Sequence, residues 1–166
     1  VEMLQTQPNW QLEQAETESF VATLSNMMTG LVVAGLFTNV VLGLLLGRAW
    51  QAGLYNPGGF AEEFQQIQLG KVPAIITILM AAIALISGAG FAIIQNCLPI
   101  LLVLFSVQGV AVVHCVVRMQ QKHKGWLVVM YVLLLVMMPQ MVFLLAVVGV
   151  LEQWFNFRRR SVERGE

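Results

Sequence analysis

The sequence predicts an all-α integral membrane protein, a polytopic bundle of about four transmembrane helices plus one short interfacial helix. Of its 166 residues, 58% are hydrophobic and 11% are charged, against roughly 25% charged in an average soluble domain. Three long runs carry no charged residue, at residues 20–47, 72–117 and 125–151. A soluble domain of this size could not bury so much apolar surface, and a disordered chain would need low hydrophobicity and high charge.

The charge-free runs locate the spans. A spanning helix needs about 20 apolar residues, so the first and third runs each hold one, whereas the second, with 46 residues, holds two. The glycine cluster Ser87-Gly88-Ala89-Gly90 predicts the turn between them. We therefore predict a transmembrane bundle over residues 20–152, with spans at about 20–47, 72–87, 92–117 and 126–152. A polar Gln/Glu-rich segment precedes it at residues 1–19, and a basic tail follows at residues 153–166.

The last run has two interpretations. Four spans put four Lys and Arg residues on one side and five on the other, so the positive-inside rule does not choose an orientation. A re-entrant hairpin broken at Pro139-Gln140 would put all nine on one side, but its arms of about 20 Å would not cross a core of roughly 30 Å. Trp126 and Trp154 lie about 42 Å apart on one helix, which matches a bilayer with its headgroups. We favour one kinked span, and the Arg158-Arg159-Arg160 cluster then favours a cytoplasmic C-terminus.

Small or polar residues recur every four positions along the first span, at Gly35, Asn39, Gly43 and Gly47. A second line has the same spacing, at Gly30, Ala34 and Thr38. Small residues let another helix approach closely inside a membrane. The first line predicts either packing against the helices of this chain or a face for another membrane subunit. Asn39 is expected to hydrogen-bond to a neighbouring helix.

A few polar side chains fall inside the predicted spans. His114 is a candidate for ligand or proton contact, because ionisable residues in a membrane are often functional; the alternative is a hydrogen-bonded histidine near the interface. Gln108 and three further amides (Gln95, Asn96 and Gln140) could line a polar cavity or simply bond between helices. All Glu residues are expected in loops or tails, and no catalytic motif or metal-ligand spacing is present in the sequence.

The segment at residues 48–71 predicts a surface elbow. Asn56-Pro57-Gly58-Gly59 is typical of a turn, and Phe60, Phe64 and Ile67 then recur on one face of a short amphipathic helix. The elbow is either structural or a lid over a site between the helices. The residues predicted to bind or gate a ligand are Trp50, Tyr55, Asn56, Pro57, Gly58, Gly59, Phe60 and Glu63, together with Gln108 and His114.

The same segment carries a family resemblance. Arg48-x-Trp50, followed by Leu54-Tyr55-Asn56-Pro57-Gly58-Gly59-Phe60-x-x-Glu63-Phe64, resembles the hallmark loop of the YybS-like family of bacterial multispanning membrane proteins. Weaker matches extend to about Arg160. The resemblance implies the C-terminal part of a longer chain. It also implies a distant similarity to the substrate-binding subunits of energy-coupling-factor transporters, in which loops close over a small-molecule site and small-residue faces dock on a partner subunit.

These observations lead to two functional hypotheses. The first is an inner-membrane protein of bacteria that binds or helps to transport a small solute. The second is a non-transporting scaffold or assembly factor that binds other membrane proteins. We expect no enzymatic activity, no cofactor, no metal and no nucleic-acid partner. The expected partners are the lipid bilayer, other membrane protein subunits and a small-molecule ligand.

Overall fold

A computed structural model describes residues 8–87, 91–123 and 125–157. It contains six helices in these ranges, listed in chain order: α1 (Pro8–Tyr55), α2 (Gly59–Gln65), α3 (Lys71–Ser87), α4 (Ala92–Met119), α5 (Gly125–Val136) and α6 (Met138–Phe155). The predicted all-helical class is confirmed. Part of the predicted glycine turn, the first seven residues and the arginine cluster of the tail lie outside the described residues.

Helix α1 continues beyond the predicted end of the first span. No proline interrupts the chain between Pro8 and Pro57. At the end of α1, Pro57 disfavours a helical conformation in the residue before it, and Gly58 adopts a left-handed φ of 94°. Trp50 and Tyr55, expected in a loop, are therefore helical. Three segments are long and apolar enough to cross a membrane: Met28–Tyr55, Ile93–Met119 and Met138–Phe155; α3 and α5 are shorter apolar helices.

Helices α4 and α6 are in backbone contact. A Cβ atom added to Gly109 would collide with the carbonyl of Leu145, and one added to Gly149 would collide with the carbonyl of Phe105. Glycine at both positions removes the side chains that would hold the helices apart. The order of these contacts makes α4 and α6 antiparallel, since position 105 faces 149 and position 109 faces 145.

Helices α1 and α4 run parallel. At one end, the backbone N–H of Gly30 donates to Asn96 Oδ1 at 2.9 Å, and a Cβ on Gly30 would lie only 2.6 Å from Asn96 Cα. At the other end, Arg48 of α1 and Arg118 of α4 both bind side chains of α2. The Asn96 amide, left open in the sequence between a polar cavity and a helix contact, bonds between helices.

The chain enters the bundle between α2 and α3. Gln65 lies within hydrogen-bond reach of Arg118, whereas the Leu69 N–H donates to Gln108 Oε1 at 3.0 Å. Those two α4 positions are ten residues apart, about 15 Å at 1.5 Å per residue. Helix α3 therefore starts halfway along α4, where Ala74 packs in a buried cluster with Phe105. This explains why the second predicted span is short.

The third apolar run is divided at Met137, whose φ of −119° and ψ of 49° are not helical. Pro139 lacks an N–H, and its ring is incompatible with a straight helix through the residues before it. Tyr131 contacts His114, and Met141 lines the same cavity as Val112 and Val116. Tyr131 and Met141 therefore both lie beside the same part of α4, whereas ten residues of straight helix would separate them by about 15 Å. The segment predicted as one kinked span is two helices, of which α6 packs antiparallel to α4.

Gln108→Leu is expected to lower the free energy of unfolding by about 2 kcal/mol, because the part-buried Leu69 N–H loses its partner and the Gly149 carbonyl keeps only its bond within α6. Gln108 is fully buried and bonds both the Leu69 N–H and the Gly149 carbonyl. The exposed Gln140 provides the matched control, Gln140→Leu. Unfolding titrations in mixed detergent micelles measure the difference, and equal effects of the two substitutions would contradict this account.

Candidate functional site

The elbow between α1 and α2 is a tight turn. The Gly59 N–H donates to the Asn56 carbonyl at 3.0 Å, and a Cβ on Gly59 would collide with the Asn56 amide. Gly58 takes the left-handed conformation that glycine adopts without strain. The sequence at this turn therefore permits α2 to fold back beside the end of α1.

A bidentate ion pair fastens α2 to α1. Arg48 Nε donates to Glu63 Oε2 at 2.7 Å, and a second guanidinium nitrogen donates to Glu63 Oε1. A third nitrogen of Arg48 bonds Gln51 Oε1 at 2.9 Å. The hydrogen bond from Arg48 lowers the pKa of Glu63 below its usual range. Glu63, which was predicted to bind or gate a ligand, thus joins α2 to the end of α1 through its ion pair with Arg48.

A row of four rings connects α2, α4 and α5. Phe60 stacks on Phe64, and Phe64 meets the His114 ring edge-on, with 5.7 Å between centroids in each pair. His114 Nδ1 lies 2.9 Å from the Val110 carbonyl, so it carries the proton and Nε2 accepts from the Tyr131 hydroxyl at 3.3 Å. Both nitrogens of His114 are therefore engaged within the protein.

A cavity of about 650 Å³ lies between α4, α5 and α6. Within the part of the chain that the structure describes, it is lined by eleven apolar residues and by two polar ones, Gln120 and Lys122. The apolar residues are Val112, Val113, Val116, Val117, Trp126, Val129, Met130, Leu133, Met141, Val148 and Phe157. Its volume falls within the roughly 300–1,000 Å³ typical of small-molecule sites.

None of the ten residues predicted to bind or gate a ligand lines this cavity. Trp50 and Tyr55 are exposed on α1, Gln108 bonds inside the bundle, and His114 lies in the row of rings. The cavity depends on the bend at Met137, which sets α5 apart from α6. Pro139, and the recurrence of valines at i and i+4 along α4, were the sequence signals that could have indicated it.

The polar end of the cavity is built by the C-terminus of α4. The Lys122 N–H donates to the Val117 carbonyl at 3.1 Å, and Gln121 has a left-handed φ of 50°, which together form a Schellman-type cap. Lys122 Nζ lies 5.6 Å from the centroid of the Trp126 ring. The cap therefore fixes the backbone of Lys122, the cationic residue among the described lining.

One buried acidic residue was missed from the sequence. Glu152 was expected outside the spans, but it lies in α6 and is only 2% exposed. Its Oε2 accepts the N–H of Phe157 at 2.7 Å, which is possible because α6 ends at Asn156 in a left-handed conformation. The neighbouring Gln153 is also buried. The carboxylate thus caps a helix end instead of standing in solvent.

The two lines of small residues on α1 have different surroundings. In the second line, Gly30 and Ala34 are buried. In the first, a Cβ on Gly35, Gly43 or Gly47 would meet no described atom within 4 Å. Asn39 is exposed and donates to the Gly35 carbonyl of its own helix at 3.0 Å, so the bond to a neighbouring helix stays a prediction. The first line faces outward because the second already packs inside.

The docking of α2 is expected to depend on pH through Glu63. A lowered pKa means that the ionised carboxylate favours the docked state, so docking is constant at neutral pH and is lost only as pH falls below about 4. Hydrogen exchange of the amides of α2, corrected for intrinsic rates, measures this. Glu63→Gln should undock α2 at every pH, whereas Glu62→Gln, which removes only a 3.9 Å contact with Arg118, should not. An unchanged profile in Glu63→Gln would refute the assignment.

Comparisons with known proteins bear on this arrangement. The sequence model of a family described as "Predicted membrane protein (DUF2232)" matches residues 2–152. Curated proteins and solved structures give no match. Within the described residues, no group of three or more His, Cys, Asp or Glu residues could hold a metal ion. The matched range includes the elbow, the row of rings and nearly all of the cavity. The chain therefore belongs to the DUF2232 family of predicted membrane proteins.

Proposed function

We propose that the protein is a solute-binding membrane subunit and that the cavity between α4, α5 and α6 is its binding site. The observation that carries the proposal is the cavity itself, which has an apolar lining and polar groups at one end. Sites for small molecules typically combine these two features. The resemblance of the elbow sequence to a family distantly similar to transporter substrate-binding subunits agrees with a role in transport.

The proposal includes binding but no catalytic step. Among the described lining residues there is no carboxylate, histidine, cysteine or hydroxyl side chain, so Lys122 has no second group among them with which to form an acid–base or nucleophilic pair. The elbow is well placed to respond to the site, because Tyr131 of α5 touches His114 and His114 touches Phe64 of α2.

We further propose that the membrane is the bacterial inner membrane and that the C-terminus is cytoplasmic. The antiparallel contact of α4 and α6 brings the end of α6 to the same end of the bundle as the start of α4. The Arg158-Arg159-Arg160 cluster follows in the sequence, and a cluster of Arg residues just beyond the end of a span is favoured on the cytoplasmic side.

Val129→Phe is expected to reduce the small molecules that co-purify with the protein by about tenfold, the effect of roughly 1.4 kcal/mol of overpacking. Val129 lines the cavity. Val128→Phe is the matched control, because Val128 is exposed on the same helix and does not line the cavity. Extraction and mass spectrometry of the purified protein measure the bound molecules. Equal amounts in the two variants would count against the site.

A second candidate function, a scaffold for other membrane proteins, is favoured by the outward face of α1. Gly35, Gly43 and Gly47 are open on this face, and Asn39 is exposed beside them. Glycines and an amide on one helix face are suited to a second helix. This function does not require the cavity, so separate variants test the two candidates.

Replacing Gly35 and Gly43 together with Leu is expected to disrupt a complex with another membrane protein, because the added side chains block close approach. Gly53→Leu is the control, since Gly53 is equally open but lies off the line. Native gel electrophoresis of solubilised membranes compares the size of the complex. An intact complex in the double variant would argue against the scaffold function.

A further inference from the structure

The cavity between α4, α5 and α6 is elongated, and the polar side chains among its described lining residues stand at one end. On α4 its lining runs from Gln120 to Val112, which is eight residues, or about 12 Å. Val148 and Phe157 also line it, and they lie further from Gln120 because α6 runs antiparallel to α4. The cavity thus extends along α4 from a polar end into an apolar interior.

The charge at the polar end is positive. Lys122 makes no ion pair with any described residue, whereas Arg118, one turn earlier, lies 3.9 Å from a Glu62 carboxylate oxygen. Lys122 Nζ sits over Trp126, and tryptophan is enriched at the level of lipid headgroups. An anionic group is therefore favoured there.

Three residues of α5 that line the cavity are only partly covered by the protein: Trp126 is 61%, Val129 52% and Leu133 40% exposed. Val128 and Val132 of the same helix do not line the cavity and are also exposed. In a membrane protein, exposed apolar side chains of this kind face lipid. A molecule with an apolar chain can therefore reach α5 from the bilayer without passing through water.

From these observations we infer that the cavity binds an anionic membrane lipid, with an acyl chain between α4, α5 and α6 and the headgroup on Lys122. The inference rests on the proposed function and identifies its ligand class. A small polar anion would gain nothing from the eleven apolar residues among the described lining, and a neutral apolar solute would gain nothing from the charge of Lys122.

Trp126 provides the reporter. Trp10→Phe, Trp50→Phe and Trp154→Phe leave it as the single tryptophan of the chain. The protein is reconstituted in phosphatidylcholine vesicles containing increasing fractions of a lipid brominated on its acyl chains, either phosphatidylglycerol or phosphatidylcholine. Bromine quenches tryptophan at short range. Half-maximal quenching is expected at about a fivefold lower fraction of the anionic lipid, as one lysine near a headgroup provides.

Two pairs of variants distinguish the contribution of the lipid headgroup from that of its acyl chain. Lys122→Gln should remove the preference for the anionic lipid, whereas Lys71→Gln, which changes an exposed lysine outside the cavity lining, should keep it. Val129→Phe should reduce quenching by the anionic lipid to the level of phosphatidylcholine, whereas Val128→Phe should not.

The outcomes distinguish this inference from the proposed function. Equal quenching by the two lipids would overturn the anionic ligand, and the solute site would still stand if Val129→Phe lowered both. A preference that persists in Lys122→Gln assigns the headgroup to another residue and also rejects the inference. If Val129→Phe changes quenching by neither lipid, the acyl chain does not occupy the cavity. That result would reject both the lipid ligand and the proposed binding site.

Discussion

The side-chain amide of Gln108 joins two distant parts of the chain in the middle of the bundle. Its oxygen accepts the N–H of Leu69, which lies outside a helix, and its nitrogen donates to the helical carbonyl of Gly149. Non-helical backbone is tolerated at membrane depth only where the protein satisfies it. One buried amide thereby permits the chain between α2 and α3 to lie against α4, and it ties that segment to α6.

The contact between α4 and α6 depends on the same place. Gly109 is adjacent to Gln108 in the sequence, and Gly149, whose carbonyl Gln108 binds, is the glycine that touches the backbone of Phe105. Close packing here fixes the position of α6. The bend at Met137 then sets α5 apart from α6, and the space left between the three helices is the cavity. The close packing of α4 and α6 at Gly149 and the cavity near the bend at Met137 therefore both follow from the relative positions of α4, α5 and α6.

Local features of the fold were predictable because they depend on neighbouring residues. The Asn56–Gly59 turn and the short helix after it follow from backbone preferences of proline and glycine. Features that depend on residues distant in the sequence were not predictable. The outward direction of Asn39 reflects which side of α1 packs on α4, and the burial of Glu152 reflects what surrounds α6. The sequence predicted the elbow itself, but the elbow residues that were predicted to bind or gate a ligand do not line the cavity.

By itself, the sequence determined that this protein is a multispanning helical membrane protein, because long charge-free runs are stable only in lipid. It also determined where the turn after α1 falls, since Pro57 and Gly58 restrict the backbone locally. Only the tertiary structure decided that α5 and α6 separate at Met137 and that Lys122 stands at the mouth of an apolar cavity. Such a cavity arises from the relative positions of three helices, and hydrophobic periodicity does not record how one helix lies against another.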